Sequence, residues 1–240
     1  MILRLAFPAL MLCLTTFHPF VEEGKDESPI IAGNEKTAVD ATELLYQRLS
    51  EPALPLAAFI SSIEVYRRLS EKEQILNDRV ITIIDFTKPS HQERLFVIDL
   101  VGEKVIYKSL VAHGKNSGED YATCFSNNPN SHQSSLGYYL TGSPYVGRHG
   151  YSLLLDGLEK GINDNARKRA VVIHGAAYVS QRYIESNGRL GRSFGCPALP
   201  EEIVSEIIDT IQEKSLLFIY SNDRNYCRNT SFFNSSVSIP

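Results

Sequence analysis

The sequence predicts a mainly β domain with one late helix, preceded by a small helical extension. Two regions, one before residue 79 and one after residue 200, repeat apolar residues at helical spacing. Between them, short runs rich in β-branched and aromatic residues alternate with polar segments, a pattern typical of strands. The chain has 240 residues, which suits one domain with an appendage because domains usually contain about 100–200 residues.

The composition is that of an ordinary globular protein. Hydrophobic residues make up 43% of the chain, charged residues 22%, and the net charge is −4. A nucleic-acid-binding protein would carry a basic surplus or patch, and no tract rich in Lys and Arg is present. We therefore expect no nucleic-acid partner.

Residues 1–16 are predicted to be a signal peptide or an N-terminal anchor. Arg4 supplies a positive start, and Leu5–Leu14 is almost wholly apolar. This run has the length of a signal-peptide core and is shorter than the about 20 residues that cross a membrane. We expect an exported protein of the periplasm or cell envelope, with an uncleaved anchor as the alternative.

Residues 17–78 are predicted to form a linker and a helical extension. The acidic segment 21–34 contains Pro and Gly and suits a linker. Residues 35–49 and 56–69 have apolar residues at helical spacing, and two prolines separate them. We expect these two helices to pack as a hairpin against the main domain.

Seven strands are predicted for the main domain, which we place at residues 79–224. They are Val80–Ile84, Leu95–Ile98, Val105–Val111, Leu136–Thr141, Tyr151–Leu155, Val171–Ile173 and Leu216–Tyr220.

Three further segments complete the predicted domain. Residues 113–135 are polar and too long for an idle connection, so we expect a loop that borders a functional site. Pro200 can start the late helix. Its apolar face would contain Ile203, Ile207, Ile208 and Ile211. The Ser- and Asn-rich residues 225–240 are predicted to be a loose tail.

The chemistry of the chain is predicted to lie in His174 and Cys196. The apolar run Val171–Ile173 should deliver the imidazole of His174 to the edge of a sheet. Cys196 follows Gly195 and precedes Pro197, which favours a tight, non-helical turn. A thiol needs a base to become a strong nucleophile near neutral pH, and His is the usual base. The alternative is that Cys196 is a small buried hydrophobic residue.

The turn around Cys196 also limits where an oxyanion could bind. Pro197 has no N–H group, so the hole must use the amides of Phe194, Gly195 or Cys196. Ser193 could hydrogen-bond within this turn, or simply cap it locally.

The number of cysteines suggests one possible disulfide. Without Cys13, an exported chain retains Cys124, Cys196 and Cys227. One arrangement pairs Cys124 with Cys227 and leaves Cys196 free as a catalytic thiol.

These motifs resemble those of the L,D-transpeptidases of bacterial cell walls, the YkuD-type catalytic domain, and in particular its murein L,D-transpeptidase-like branch. That family combines a His-Gly pair with a later Ser-x-Gly-Cys segment. Here they are His174-Gly175 and residues 193–196, and the likeness covers about residues 80–221. The resemblance implies an L,D-transpeptidase-like sandwich or sheet.

Two positions depart from the family pattern. Phe194 stands where most members have His, and Ala198 stands where most have Arg. The family position of that Arg is associated with contacts to the substrate carboxylate. Arg192 or Arg189 could compensate from the other side of the turn.

The resemblance implies cysteine-dependent acyl transfer on the tetrapeptide stems of peptidoglycan, without a cofactor or metal. Cys196 would form a thioester, and an amine or water would resolve it, giving L,D-transpeptidase or L,D-carboxypeptidase activity. His174 would be the base, oriented by a backbone carbonyl. Ser193 and Gly195 would shape the catalytic turn. The alternative is a non-catalytic cell-wall-binding or structural module that retains the fold.

Four residues are candidates for substrate binding. Arg192 offers a fork that suits a carboxylate, although an exposed Arg usually faces solvent. His149 could line the groove or be a surface histidine, and Gly175 belongs to the His-Gly motif. Tyr138 is the fourth candidate, with a core position as its alternative. The stems would be the partner, near the cell wall or membrane, and the oligomeric state is left open.

Two groups of residues offer side chains of the kind that bind metal ions. Residues 163–165 are adjacent polar residues and lack the alternating spacing of a calcium loop. A zinc site made of His149, His174 and Cys196 lacks a short-spaced pair of ligands. We therefore predict no metal.

Overall fold

The computed structural model describes residues 41–232. The predicted signal peptide or anchor at residues 1–16 and the linker at 21–34 lie outside the described residues, as does the tail from residue 233. The first predicted helix is described from residue 41 onward. No helix within residues 41–232 has both the length and the apolar composition that crossing a bilayer requires.

The described residues form five helices and eight strands. In chain order they are α1 (residues 41–49), α2 (Leu56–Glu71), β1 (Val80–Asp85), β2 (Leu95–Asp99), β3 (Lys104–Ser109), β4 (Gly137–Gly147), β5 (Gly150–Gly157), β6 (Val172–Gly175), α3 (Gln181–Asn187), β7 (Ala198–Leu199), α4 (Val204–Ile211), β8 (Leu216–Tyr220) and α5 (Arg224–Asn229).

All eight strands belong to one sheet, in the order β3-β2-β1-β8-β4-β5-β6-β7. The pairs β1–β8 and β6–β7 are parallel, and the other neighbours are antiparallel. The prediction of a mainly β fold with a late helix and a helical N-terminal extension is confirmed.

The middle of the sheet is the core of the molecule. Every residue of β1, β2 and β8 is buried, as their continuous apolar runs require. Helix α2 packs on β1 and β8, and α4 packs on β1, β4, β5 and β6. The predicted apolar face of α4 is confirmed for Ile207, Ile208 and Ile211, which are buried.

Two short helices were missed. Helix α3 lies in the polar segment between His174 and Cys196, for which no helix was predicted. The Ser180 side chain caps it by accepting from the Tyr183 N–H, and Gly188 ends it at φ 74°. Part of the predicted loose tail is also ordered, because α5 begins at the capping residue Asp223 and buries Tyr226. Both capping residues are signals that the sequence contains.

The predicted site-bordering loop, residues 113–135, runs along the β7 edge of the sheet. A bridge joins Ala112 to Ala198, and a second joins Gly114 to Ser193. The start of the loop is held by the fully buried Arg94. Its guanidinium donates to the Val111 carbonyl and, at 2.8 Å, to His113 Nδ1.

Candidate active site

The pairing of β6 with β7 brings the strand of His174 and the turn that contains Cys196 together at the edge of the sheet. His174 lies opposite Ala198 in this parallel pair. Two residues earlier, the Val172 N–H donates to the sulfur of Cys196 at 3.5 Å, so Cys196 lies opposite Val172. Residues distant in sequence therefore become neighbours through strand pairing.

The imidazole of His174 is oriented by the backbone. Nδ1 lies 2.9 Å from the Gly175 carbonyl, which can only accept, so Nδ1 carries the proton and Nε2 is left as an acceptor. Burial lowers the pKa of His174, and the neighbouring His149 lowers it further, against the opposing effect of the Gly175 carbonyl. A neutral imidazole with a free Nε2 can act as a base. The role of Gly175 is therefore to orient His174.

His149 joins the site from the turn between β4 and β5. Its ring stacks on that of His174, with centroids 4.5 Å apart and planes 25° apart. The structure thus brings this substrate-binding candidate next to His174, where it covers one face of the imidazole.

The sulfur of Cys196 is hydrogen-bonded to the backbone that leads into β6. It accepts from the Val172 N–H, and it donates to the Ala170 carbonyl at 3.5 Å. Burial raises the pKa of the thiol, while the Val172 N–H and Arg169 act in the lowering direction. In this conformation the thiol is protonated, since it donates to a carbonyl oxygen.

The turn before Cys196 is closed by Ser193. The Ser193 hydroxyl donates to the Cys196 carbonyl at 2.6 Å and accepts from the Gly195 N–H at 3.0 Å. This local turn occupies the Gly195 amide, so the amides of Phe194 and Cys196 are the ones that could hold an oxyanion. Gly195 has φ +124°, and a Cβ there would lie 2.7 Å from the Gln133 carbonyl oxygen. Only glycine fits this position.

Arg192 faces the loop and already holds a carboxylate. Its Nη1 lies 2.7 Å from Glu119 Oε1 and 3.0 Å from the Gly118 carbonyl. Arg189 binds the other oxygen of Glu119 at 2.9 Å. Together the two guanidinium groups lower the pKa of the Glu119 carboxyl, Arg192 first through its hydrogen bond. The predicted carboxylate clamp is therefore occupied by a residue of the chain.

Tyr138 does not line the site, which corrects its prediction as a substrate-binding residue. Its side chain is fully buried in the core. The hydroxyl hydrogen-bonds Ser61, and the ring stacks on Phe218 with centroids 4.1 Å apart. The physical reason is that helix α2, which contains Ser61, and the neighbouring strand β8, which contains Phe218, cover this side chain.

Sequence reasoning missed two residues beside the thiol. Arg169, which was not among the predicted site residues, contributes to the charge environment of Cys196. Tyr178 lies near the same sulfur, and burial together with Cys196 raises its pKa to about 12. Strand-edge position alone could have pointed to Arg169, because it lies just before the strand that delivers His174.

The structure does not contain the proposed disulfide. Cys124, Cys196 and Cys227 are all free thiols. Cys124 is exposed in the long loop, whereas Cys227 is on α5 and packs against the core. Within residues 41–232, no three His, Cys, Asp or Glu side chains are placed to share a metal ion, so the zinc arrangement of His149, His174 and Cys196 is not formed.

A comparison with protein-family models decides which family this site belongs to. The model of the L,D-transpeptidase catalytic domain, of YkuD type, matches residues 50–220. The chain belongs to the L,D-transpeptidase catalytic domain family. No curated protein matches the chain.

Solved structures of L,D-transpeptidases are similar to the chain at low sequence identity. The L,D-transpeptidase from Mycobacterium smegmatis is 13% identical, over 60% of this chain and 59% of that one, with a TM-score of 0.37. L,D-transpeptidase 1 of Mycobacterium tuberculosis is 13% identical, over 60% and 62%, with a TM-score of 0.33. The helical cell shape determining protein Pgp2 of Campylobacter jejuni is 14% identical, over 60% and 48%, with a TM-score of 0.38.

The match thus spans about three fifths of the length of the first solved structures. The family match over residues 50–220 is what carries the assignment, and it confirms the resemblance noted from the His-Gly and Ser-x-Gly-Cys motifs.

The structure shows where both departures of this L,D-transpeptidase-family chain from the common motif lie. Ala198 is fully buried opposite His174, a position that encloses a methyl group and not a long charged side chain. Phe194 is 68% exposed. Its ring lies 4.5 Å from Lys115 Nζ and 4.6 Å from the ring of His132. An exposed aromatic ring therefore takes the family position of a histidine on the rim of the site.

Proposed function

We propose that the protein performs cysteine-dependent acyl transfer on the tetrapeptide stems of peptidoglycan, through a thioester on Cys196. The observation that carries the proposal is the strand pairing that brings the segment directly after Cys196 against the strand of His174, with the imidazole proton on Nδ1 and Nε2 free. Membership of the L,D-transpeptidase family supplies the substrate class.

In the proposed first step, His174 Nε2 takes the thiol proton and the Cys196 sulfur attacks the carbonyl of the third stem residue. The carbon–nitrogen bond to the fourth residue then breaks. His174 returns the proton to the leaving amine, and a terminal D-amino acid departs. Such positioned proton transfer contributes roughly 10²–10⁴-fold to a rate.

In the second step, an amine of another stem or a water molecule attacks the thioester and gives up a proton to His174. The carbon–sulfur bond breaks, and the proton restores the thiol of Cys196. An amine gives a crosslink and water gives a shortened stem. The amides of Phe194 and Cys196 are the donors left for the negative oxygen of each tetrahedral intermediate.

The electrostatics of the site support a neutral resting pair. Burial disfavours both the thiolate and the imidazolium, since it raises the pKa of Cys196 and lowers that of His174. The base therefore stays unprotonated below the ordinary histidine pKa of about 6.5. We expect the acidic limb of the kcat/KM profile to lie below that value.

The proposal is tested by incubating the protein with muropeptide tetrapeptides and analysing the products by mass spectrometry. Wild type should release the terminal D-amino acid or form crosslinked stems. Cys196→Ala should lose both products, while Cys124→Ala, which removes an exposed thiol, should keep them. A carbapenem should add its mass to the peptide that contains Cys196 and to no other. Activity that persists in Cys196→Ala would overturn the proposal.

The same proteins separate catalysis from the non-catalytic alternative. If the protein is a wall-binding module, wild type and Cys196→Ala should pellet with sacculi equally well, and wild type should form no acyl-enzyme. Pelleting without any acyl-enzyme would thus favour the module.

We also propose that the protein acts in the cell envelope after export, where its substrate is located. The apolar run of residues 5–14 supports export. Cell fractionation with a mass measurement of the mature N-terminus tests this, and recovery of the full chain from the cytosol alone would contradict it.

A further inference from the structure

The segment that leads into β6 forms a cradle around the sulfur of Cys196. Its backbone supplies one acceptor, the Ala170 carbonyl, and one donor, the Val172 N–H. Ala170 adopts φ 53°, in the left-handed region, which is unusual for a residue with a Cβ. The residue just before it, Arg169, carries the positive charge of this cradle.

The guanidinium of Arg169 is tied to the long loop. Nη1 donates to the Ser126 carbonyl at 2.8 Å and to the Ser135 hydroxyl. Nη2 donates to the Ser131 hydroxyl at 3.2 Å and to the Gln133 carbonyl. A half-buried guanidinium held at four points has a fixed position.

That fixed position is next to the nucleophile. Arg169 Nη2 lies 3.3 Å from the point where a Cβ on Gly195 would be, and Gly195 directly precedes Cys196. The guanidinium therefore lies close to Gly195, the residue directly before Cys196.

Arg169 also differs from neighbouring arginines in the groups that its guanidinium binds. Arg167 binds the Asp156 carboxylate, and Arg189 and Arg192 both bind Glu119. Over residues 41–232, the four hydrogen bonds of Arg169 go to neutral oxygens only. Its positive charge is not cancelled by an ion pair and can act on the thiolate of Cys196.

We propose that Arg169 is a positioning residue that ties the segment binding the Cys196 sulfur to the long loop and stabilises the Cys196 thiolate. The inference rests on the proposed function only in taking Cys196 as the nucleophile. The reciprocal charge effects between the two residues support it.

Other groups also face this sulfur and enter the test. Tyr178, in the segment after β6, has its pKa raised by Cys196, and His174 lies on the strand that pairs with the residues following Cys196. Lys115, whose Nζ lies over the Phe194 ring, is a second cation on the rim. Lys115→Gln is therefore measured in parallel, to separate its contribution from that of Arg169.

The experiment measures the rate at which iodoacetamide alkylates Cys196 as a function of pH, with the site resolved by peptide mass spectrometry. Arg169→Gln keeps hydrogen-bonding capacity but loses the charge, and Arg169→Lys keeps the charge. We expect the Gln variant to raise the apparent thiol pKa by about one unit, since a close opposite charge lowers a pKa by about 1–3 units. The Lys variant should stay near wild type, as should the control Arg167→Gln.

A purely structural role for Arg169 would slow alkylation without moving the apparent pKa. An unchanged pKa in a folded Arg169→Gln protein therefore overturns the proposal. Circular dichroism establishes whether each variant is folded.

A second measurement needs no variant at position 169. In wild type, the rate ratio of the anionic iodoacetate to the neutral iodoacetamide is compared between Cys196 and the exposed Cys124. A positive field at Cys196 should give it the higher ratio, and a ratio equal to or below that of Cys124 overturns the proposal. Neither assay uses a peptidoglycan substrate, so failure of acyl transfer is a separate result.

Discussion

The two halves of the sheet are built differently. In the half formed by β3, β2, β1 and β8, the strands β1, β2 and β8 are buried along their whole length. At the other end, β6 has four residues and β7 only two. Stability therefore comes mainly from the regular half, while the proposed chemistry lies on an edge with little strand pairing of its own.

The long loop replaces the missing strand pairing at that edge. The Lys115 N–H donates to the Ser193 carbonyl, and the Ser134 hydroxyl donates to the Gly195 carbonyl at 3.2 Å. These bonds hold the nucleophile turn in place without enclosing it in a regular sheet. The comparison teaches that the site is shaped by specific contacts, which a single substitution can change without unfolding the protein.

The largest expected effect comes from breaking the regular half. Phe96 in β2 is fully buried, and Phe96→Ala should destabilise the protein by about 3–5 kcal/mol because it leaves a cavity. Chemical denaturation measures this change. Val101→Ala, at a residue that is 76% exposed, is the control and should stay within about 0.5 kcal/mol of wild type. A Phe96→Ala loss as small as the control's would show that the core is elsewhere.

The second-largest effect is expected in the pH dependence of stability, through a histidine at the start of the long loop. Burial, with Arg94 beside it, lowers the pKa of His113 from its ordinary 6.5 to about 4. Between these values the unfolded chain binds the proton more readily, so stability falls as the pH falls, by about 3 kcal/mol in total for this group.

A matched variant isolates the His113 contribution. His113→Gln can still accept from Arg94 and donate to the Gly118 carbonyl, but it does not titrate. From pH 7 to pH 4, wild type should lose about 3 kcal/mol more unfolding free energy than the variant. Parallel stability curves for the two proteins over this range would contradict the assignment.

A smaller effect is expected at the nucleophile turn. Gly195→Ala places a Cβ 2.7 Å from the Gln133 carbonyl at φ +124°, a strain of about 1–3 kcal/mol. Gly188→Ala is the control, since Gly188 also has positive φ but nothing within 4 Å of the added Cβ. Both should lower stability, but only Gly195→Ala should change the alkylation rate of Cys196. Equal reactivity of the thiol in both variants would show that the turn does not position it.

The smallest effect is expected at the ion cluster on the rim. Glu119→Gln removes the carboxylate that occupies Arg189 and Arg192, without a measurable loss of stability. The freed arginines should lower the KM for a tetrapeptide stem by less than about fivefold, the range that exposed ion pairs support. Glu185→Gln, at an exposed residue of α3, is the control. A higher KM in Glu119→Gln would mean that Glu119 orders the site and does not compete with the substrate.

Much of the fold could be predicted because its signals are local. The buried strands β1, β2 and β8 contain continuous apolar runs, and the apolar face of α4 repeats at helical spacing. The two missed helices are short, and neither contains an apolar face long enough to show a period. Their sequence signals were the capping residues Ser180 and Asp223, and single polar residues of the same kind also occur in loops that contain no helix.

The site was predictable only in part. His174 and Cys196 lie in recognisable motifs, and the occupied clamp at Arg192 was named as a carboxylate binder. Tyr138 was misplaced because a tyrosine at the start of a strand has the same sequence pattern in an interior strand as at an edge. Arg169 was missed because its contacts reach residues 34–43 positions away in the chain.

The sequence by itself determined seven of the eight strands, the late helix and the two motifs that contain Cys196 and His174, because periodicity and turn residues are properties of neighbouring positions. The tertiary structure alone decided that the Cys196 sulfur rests on the backbone before β6 and that Glu119 fills the arginine clamp. It also decided that Arg169 forms no ion pair with a carboxylate of residues 41–232. These contacts join segments far apart in sequence, so they form only when the folded sheet has brought those segments together.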